Sequence, residues 1–366
     1  MRDRPRLRRT PLLTVSFFML AALAFAGTAN ATAWKQFQFN GKHSGVNPAE
    51  HVLAPQNVAE LESRWSTFVG SDYASVIAAN GIVYASGDHL VALRASSGSV
   101  LWTAPGGNLA VSQGRVISVG NGRVRAFDAV TGDQMWNVAV ANGLGGPAVA
   151  DGKVFVAGGG SGAHVFALDL TSGDRLWKSD QGSGEGAFFL PAIADGQVFA
   201  AFQDDHQSVF DERTGDLVGG FSISGSDEPA VVAGGRVYFG GFDRLYGFSI
   251  RSGVQGKFFD PGAQGVTPVV SDGTLYQATE SSFQAIDIRS ENRIWRVPFD
   301  ATGCPPVLAN GVIYVGSGMW VDAIDATTGQ LLNTWYTGRP VRRVIVTNGR
   351  VISISDGYVE LDALPA

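Results

Sequence analysis

Apolar and polar positions alternate along this chain in short runs of five or six residues, and glycine punctuates the runs. A Gly, usually after Asn, Asp or Gly, opens eight of them: GIVYAS (81), GRVISV (114), GKVFVA (152), GQVFAA (196), GRVYFG (235), GTLYQA (273), GVIYVG (311) and GRVISI (349). These segments are β-branched and aromatic, with a period of two. They are too short and too often broken by Gly for helices, and they predict strands. Their starts lie 33 to 44 residues apart, mostly 38.

A second phrase recurs between them: small or apolar residue, apolar residue, Asp, two variable residues, Thr or Ser, Gly, often with Trp four places on. It reads AFDAVTG (126–132) with Trp136, ALDLTSG (167–173) with Trp177, and AIDATTG (323–329). Weaker copies are ALRASSG (92–98) with Trp102, VFDERTG (209–215), GFSIRSG (247–253) and AIDIRSE (285–291) with Trp295. Each unit therefore reads as four strands; in the second unit they fall near 108–112, 115–119, 123–128 and 134–140. Four-stranded units of about 40 residues, repeated in series, predict an all-β chain folded as an eight-bladed β-propeller of antiparallel blades.

The ends of the repeat predict how the ring closes. The eighth unit runs through Val341–Ile345, Gly349–Ile354 and Tyr358–Asp362, and stops before its fourth strand. The segment Leu61–Trp65 resembles that fourth strand. An open blade edge is an aggregation hazard, so the last blade is expected to be completed by the strand carrying Trp65.

Most residues that look chemical belong to this repeat. An Asp side chain can accept backbone N–H groups two residues on, and Gly supplies the positive φ of a tight turn. Asp128, Asp169, Asp211, Asp287, Asp325 and Asp362 are therefore read as turn residues rather than as catalytic or metal-binding carboxylates. Trp65, Trp102, Trp136, Trp177 and Trp295 are read as packing between blades. In blades 4 and 5 the Trp position holds Gly219 and Lys257.

The phrase A-x-D-x-x-T-G-x-x-x-W resembles the repeats of pyrroloquinoline-quinone (PQQ) type propellers. The opening Trp34-x-x-Phe37, His43-Ser44-Gly45 and Asn57-Val58-x-x-Leu61-x-x-x-Trp65 is similar to the entry of quinoprotein dehydrogenases and many relatives. One branch of that family implies PQQ and usually Ca²⁺ in a central funnel, with Asp as base and, in the alcohol dehydrogenases, two adjacent cysteines. This chain has one Cys and short loops, and none of its positions can be assigned as ligands of the cofactor. In size it resembles the BamB-like branch, which implies a compact scaffold without cofactor that binds a partner through loops on one face.

Charge and the N-terminus complete the picture. The basic run Arg2, Arg4, Arg6, Arg8 and Arg9, the apolar stretch Leu12–Ala26 and the small residues to Ala31 read as a signal peptide over 1–31. Residues 32–57 then form an N-terminal arm and 58–366 a single propeller. The chain is expected to be exported, periplasmic or secreted, with no transmembrane segment. It is also expected to carry no lipid anchor, because no Cys adjoins the cleavage site. The formal charge is −6; removing five Arg and one Asp leaves 22 Lys and Arg against 32 Asp and Glu, or −10. Such a surface argues against nucleic acid. Cys304 allows no internal disulfide and reads as a buried thiol.

Loops on a rigid scaffold are where binding residues concentrate. The long connection 178–191 offers Lys178, Asp180, Glu185, Phe188 and Phe189, and the loop 201–208 offers Asp204, Asp205 and His206. Arg339, Arg342 and Arg343 form a basic group in an acidic protein. The function expected is a non-catalytic, monomeric scaffold that binds an envelope protein or peptide on this loop face, with no cofactor. The alternatives are a small PQQ- and Ca²⁺-dependent dehydrogenase of alcohols or sugars, and a propeller binding carbohydrate or another small ligand.

Overall fold

A computed structural model describes residues 33–365, apart from 71–74, 88, 160, 161, 163, 181–189, 202–205, 223–228, 241–244, 252–254, 260–266, 280, 301 and 302. The side chains of 206, 222 and 255–259 also lie outside the described set.

Eight four-stranded antiparallel blades form the predicted ring. Blades 1 to 7 start at Ser75, Asn108, Ala148, Ala192, Val231, Val269 and Val307, and each runs outward through four consecutive strands. Blade 8 is composite. Its inner strands are Val341–Thr347, Arg350–Ser355 and Tyr358–Ala363, and its fourth is Glu62–Phe68. The register pairs Trp65 with Leu361 and Phe68 with Tyr358.

Local sequence explains each blade. The hairpin between the first and second strands places two successive residues at positive φ, as in Asn80 (51°) and Gly81 (77°), or Asn310 (45°) and Gly311 (79°). That is the type I′ turn, which matches strand twist and favours Asn-Gly and Asp-Gly. At the turn between the third and fourth strands, the Asp128 carboxylate accepts the N–H groups of Val130 and Thr131 (2.8 Å each). Asp169, Asp211 and Asp325 make the same pair of bonds. These two turns define a turn face. The remaining loops, and the connections from blade to blade, open on the opposite loop face.

Apolar clusters lie between neighbouring blades rather than within one. Ala110, Ile117, Val124 and Trp136 of blade 2 pack on Val154, Val156 and Phe166 of blade 3. The indole sets the joint. Trp136 Nε1 donates to the Leu170 carbonyl of the next blade (3.1 Å). Its ring also lies where a Cβ on Gly173 would be, 2.7 Å away. Trp65, Trp177 and Trp295 repeat both contacts, donating to Ala95, Glu212 and Ala326 and resting on Gly98, Gly215 and Gly329. The joint at Trp65 is the one that closes the ring.

Candidate functional site

The centre of the ring is the natural place for a ligand in a propeller, and here residues of the chain itself line its inner edge. Residues 34–47 run once around the inside, in the order of the blades. One position recurs, three residues before each hairpin Gly on the innermost strand. The N–H groups of Ala78, Val111, Ile193, Val232 and Leu308 donate to the carbonyls of Trp34, Lys35, Gly41, Lys42 and Gly45 (2.6–2.9 Å). The N–H of Val149 donates to Gln36 Oε1 (2.8 Å), and Asn47 Nδ2 donates to the Val346 carbonyl (2.8 Å). An innermost strand has an unpaired inner edge, and its buried polar groups need partners; the arm supplies them. Val46–Asn47 adds a short parallel strand to blade 7.

Most polar side-chain atoms of the arm are engaged in this packing, and the buried His43 Nε2 has no partner among the described residues. Gln36 also donates to the Val149 carbonyl (3.2 Å), and Gln38 to that of Pro306 (3.2 Å). His43 is fully buried, with Nδ1 2.9 Å from the Ala230 carbonyl and Phe37 edge-on to its ring. Burial pulls its imidazole down to about 4, so it is neutral at physiological pH. Glu50 accepts the Gly349 N–H where the arm leaves the axis on the turn face.

The candidate loop residues separate into sectors. Glu185, Phe188, Phe189, Asp204 and Asp205 lie outside the described residues, as does the side chain of His206. Lys178 and Asp180 are exposed at the end of blade 3, the Lys178 ammonium 5.8 Å from the Phe166 ring centroid. The three arginines lie around blade 8, across the ring, and do not converge. Arg339 stacks on Tyr358, 3.7 Å from the ring centroid. Arg342 pairs with Asp356 (3.3 Å), and Arg343 lies 5.3 Å from Phe37 on the axis. Beside them, aromatics pair across strands: exposed Phe68 with half-buried Tyr358 (5.1 Å), and exposed Trp320 with exposed Tyr336 (4.8 Å).

The repeat acids fall into two electrostatic kinds. Backbone N–H groups at the turn hold Asp128, Asp169 and Asp211 below the usual carboxylate range. Asp362 has no turn to cap. It is buried in the closing blade beside the Trp335 indole, which faces it without reaching hydrogen-bond geometry, and its Oδ2 has no partner. Burial, then repulsion from Glu360, push its pKa up to about 6. Cys304 is buried and its thiol is pushed up by desolvation, which leaves it a poor nucleophile. Among the described residues no group of three His, Cys, Asp or Glu could hold a metal, and no helix is long and apolar enough to cross a membrane.

Repeat, joint and closure together define a propeller of the PQQ-like repeat class. A family model described as outer membrane protein assembly factor BamB matches residues 86–297 and 203–333, and the chain belongs to that family. It is 27% identical to outer membrane protein assembly factor BamB of Burkholderia pseudomallei, over 96% of this chain and 91% of that one. The structure of BamB from Moraxella catarrhalis superposes with TM-score 0.66 at 18% identity, covering 83% of this chain and 99% of that one. Quinohemoprotein alcohol dehydrogenase from Comamonas testosteroni superposes with TM-score 0.74 at 14% identity, covering 91% and 80%. At such identities the structural matches speak for the fold alone.

Proposed function

We propose that this chain is a non-catalytic, extracytoplasmic scaffold that binds a protein or peptide across its loop face. The observation that supports the reading is the arm inside the ring. Residues 34–47 run along the inner edge of the blades, and most of their described polar groups bond the innermost strands. The family match and the short loops support the same reading, which includes export and a periplasmic or secreted location.

The dehydrogenase alternative rests on fold likeness. It needs a quinone and a Ca²⁺ with carboxylate and amide ligands near the axis. Gln36 and Gln38 are already engaged there, His43 is buried and neutral, and oxygen ligands are what Ca²⁺ requires. The described residues do not fit that group, and no oxidation step follows from them. The exposed pair Trp320–Tyr336 is the observation that keeps carbohydrate binding in view, since such rings stack on apolar faces.

A photo-crosslinker placed at Lys178 or Trp320 on the loop face, and at Val130 on the turn face, tests the scaffold reading in intact cells. Discrete adducts from the loop face alone are expected. No adduct at either loop position, or a PQQ-dependent absorbance change on adding PQQ and Ca²⁺, would overturn it.

A further inference from the structure

In each repeat the residue one place before the turn position that Asp128 holds points back at the preceding blade. Phe127 does so in blade 2, packing with Tyr84 and Trp102 of blade 1, and an apolar residue stands there in blades 1 to 7. In blade 8 the place belongs to Asp362, which pairs with Val351 as Phe127 pairs with Val116. Register then locates its neighbours. Leu361 pairs with Trp65, whose indole reaches Ala95 of blade 1, so Leu361 faces blade 1. Side chains alternate along a strand, and Glu360 and Asp362 therefore face blade 7, where Trp335 lies beside Asp362. On the next strand inward Ser353 pairs with Glu360 and Ser355 with Tyr358, which puts both hydroxyls on the same side. On the outer strand Ser66 Oγ donates to Glu360 Oε1 (3.5 Å).

The joint between blades 7 and 8 is thus acidic and hydroxylic where the other joints are mostly apolar. Ser353 and Ser355 are fully buried and Asp362 is 6% exposed. Ser353 Oγ, Ser355 Oγ and Asp362 Oδ2 have no hydrogen-bond partner. Glu360 is half-buried and repels Asp362. Neither carboxylate has an ion-pair partner among the described residues. Arg339 attracts Glu360, but its guanidinium lies on the Tyr358 ring (3.7 Å). Two adjacent carboxylates without a paired counter-charge are costly to hold, and each buried hydroxyl left unmatched adds to the cost. A bound cation relieves both. The donors are all oxygen, which is the set a hard divalent ion takes, calcium above all, with waters completing a shell of roughly six to eight ligands. The three-acid clusters excluded above need a third acid or imidazole; here hydroxyls stand in that place.

We propose that Glu360, Asp362 and Ser353 bind a divalent cation of the calcium kind in the joint between blades 7 and 8. The Ser355 and Ser66 hydroxyls flank these ligands along the same side of the sheet. The site is independent of the scaffold reading, since it lies off the axis, within the wall of the ring, and needs no protein partner.

Titration calorimetry of the full chain, stripped with EDTA and given calcium chloride or magnesium chloride at constant ionic strength, tests this. Saturable calcium binding is expected, tighter than that of magnesium, which gives up its waters reluctantly. The protein should also melt at a higher temperature in calcium than in EDTA. Affinity for calcium should fall about tenfold in Glu360→Gln, since ligand charge sets it, and binding should disappear in Asp362→Asn. Melting in EDTA separates loss of the site from loss of the fold, because there Asp362→Asn is expected to melt no lower than the wild type. Should Asp362→Asn fail to fold by circular dichroism, Glu360→Gln carries the test. Asp180→Asn, exposed on blade 3, is expected to bind as the wild type does. No saturable calcium binding, binding left intact in a folded Asp362→Asn, or equal weakening in Glu360→Gln and Asp180→Asn would overturn the proposal.

Discussion

Around the ring, five joints between blades carry a Trp at one fixed place and three do not. Trp65, Trp102, Trp136, Trp177 and Trp295 join blades 8–1, 1–2, 2–3, 3–4 and 6–7. Joints 4–5, 5–6 and 7–8 have Gly219, Lys257 and Asn333 instead. In the sequence of these three strands an aromatic stands two residues further on, at Phe221, Phe259 and Trp335; the side chain of Phe259 lies outside the described residues. Phe221 packs on Phe248 and Phe239 of blade 5 (4.2 and 5.9 Å), and Trp335 packs in the cluster shared with blade 8. Where the Trp stands, the residue two further on is small or β-branched: Thr67, Ala104, Val138, Ser179, Val297. Each joint whose outer-strand side chains are described therefore takes one large ring from that strand, in either of two registers, because a second would overfill the space. Even within the first group there is variation. Trp102 Nε1 has no partner, because Tyr84 Oη takes the Ala129 carbonyl (2.9 Å) that the repeat would offer it.

The harshest way to break the comparison is to remove a whole joint. Deleting residues 58–68 takes away the fourth strand of blade 8 together with Trp65. It exposes the edge at Tyr358–Ala363, which that strand covers. Loss of cooperative unfolding in calorimetry is expected. A deleted protein that melts as sharply as the intact one would show that closure does not hold the ring.

Single rings come next. Trp295→Ala is expected to cost about 3–5 kcal/mol, the range for emptying a buried aromatic site. Gly329→Ala attacks the same joint from the other blade, since its Cβ would lie 2.7 Å from the indole at φ +76°. Phe221→Ala decides whether the shifted aromatic is equivalent. A cost of about 3 kcal/mol in urea unfolding supports one rule for both groups; a cost below about 1 kcal/mol separates them.

Asp362 sharpens the contrast through pH. Its folded pKa of about 6 lies above the ordinary 3.8, so the folded chain holds the proton more tightly. That contribution is complete below the ordinary value and is lost as pH rises through about 6. Asp128, Asp169 and Asp211 act in the opposite sense, their contribution fading as pH falls below the ordinary carboxylate value. Asp362→Asn is expected to raise stability at pH 7–8 by about 2 kcal/mol and to flatten the fall between pH 4 and 6. Urea titrations across that range measure both.

Much of the ring was legible because its parts are written in side chains. The Asn-Gly and Asp-Gly hairpins, the Asp-x-x-Thr-Gly turns and the strand around Trp65 all carry a type at a fixed spacing, and they led to eight blades and a composite closure. The path of the arm was not legible. Its bonds come mostly from backbone carbonyls, at Lys35, Gly41, Lys42 and Gly45, which any residue supplies. The shift of the aromatic to Phe221 and Trp335 left a signal, the exchange of small for large two places on, but it shows only when the units are compared with one another.

The smallest expected effect is the most discriminating. Each of the five joints with Trp in the first register places its ring over a turn Gly, and the turn of blade 6 has Glu291 instead, at φ +63°. Blade 5 supplies Lys257 at the Trp position there, so no indole requires that Cβ to be absent. If the turn conformation alone demanded Gly, Glu291→Gly would stabilise clearly, by relieving a left-handed backbone that costs an ordinary residue about 1 kcal/mol or more. Gly also loses more freedom on folding, by about 0.4–1 kcal/mol. The two nearly cancel, and a change within about 0.5 kcal/mol in urea unfolding is expected. The converse pair, Lys257→Trp alone and together with Glu291→Gly, then isolates the indole. Lys257→Trp should destabilise while Glu291 occupies the turn, and Glu291→Gly should recover the loss. Failure of that rescue would mean that Gly at these turns answers to the backbone and not to the ring above it.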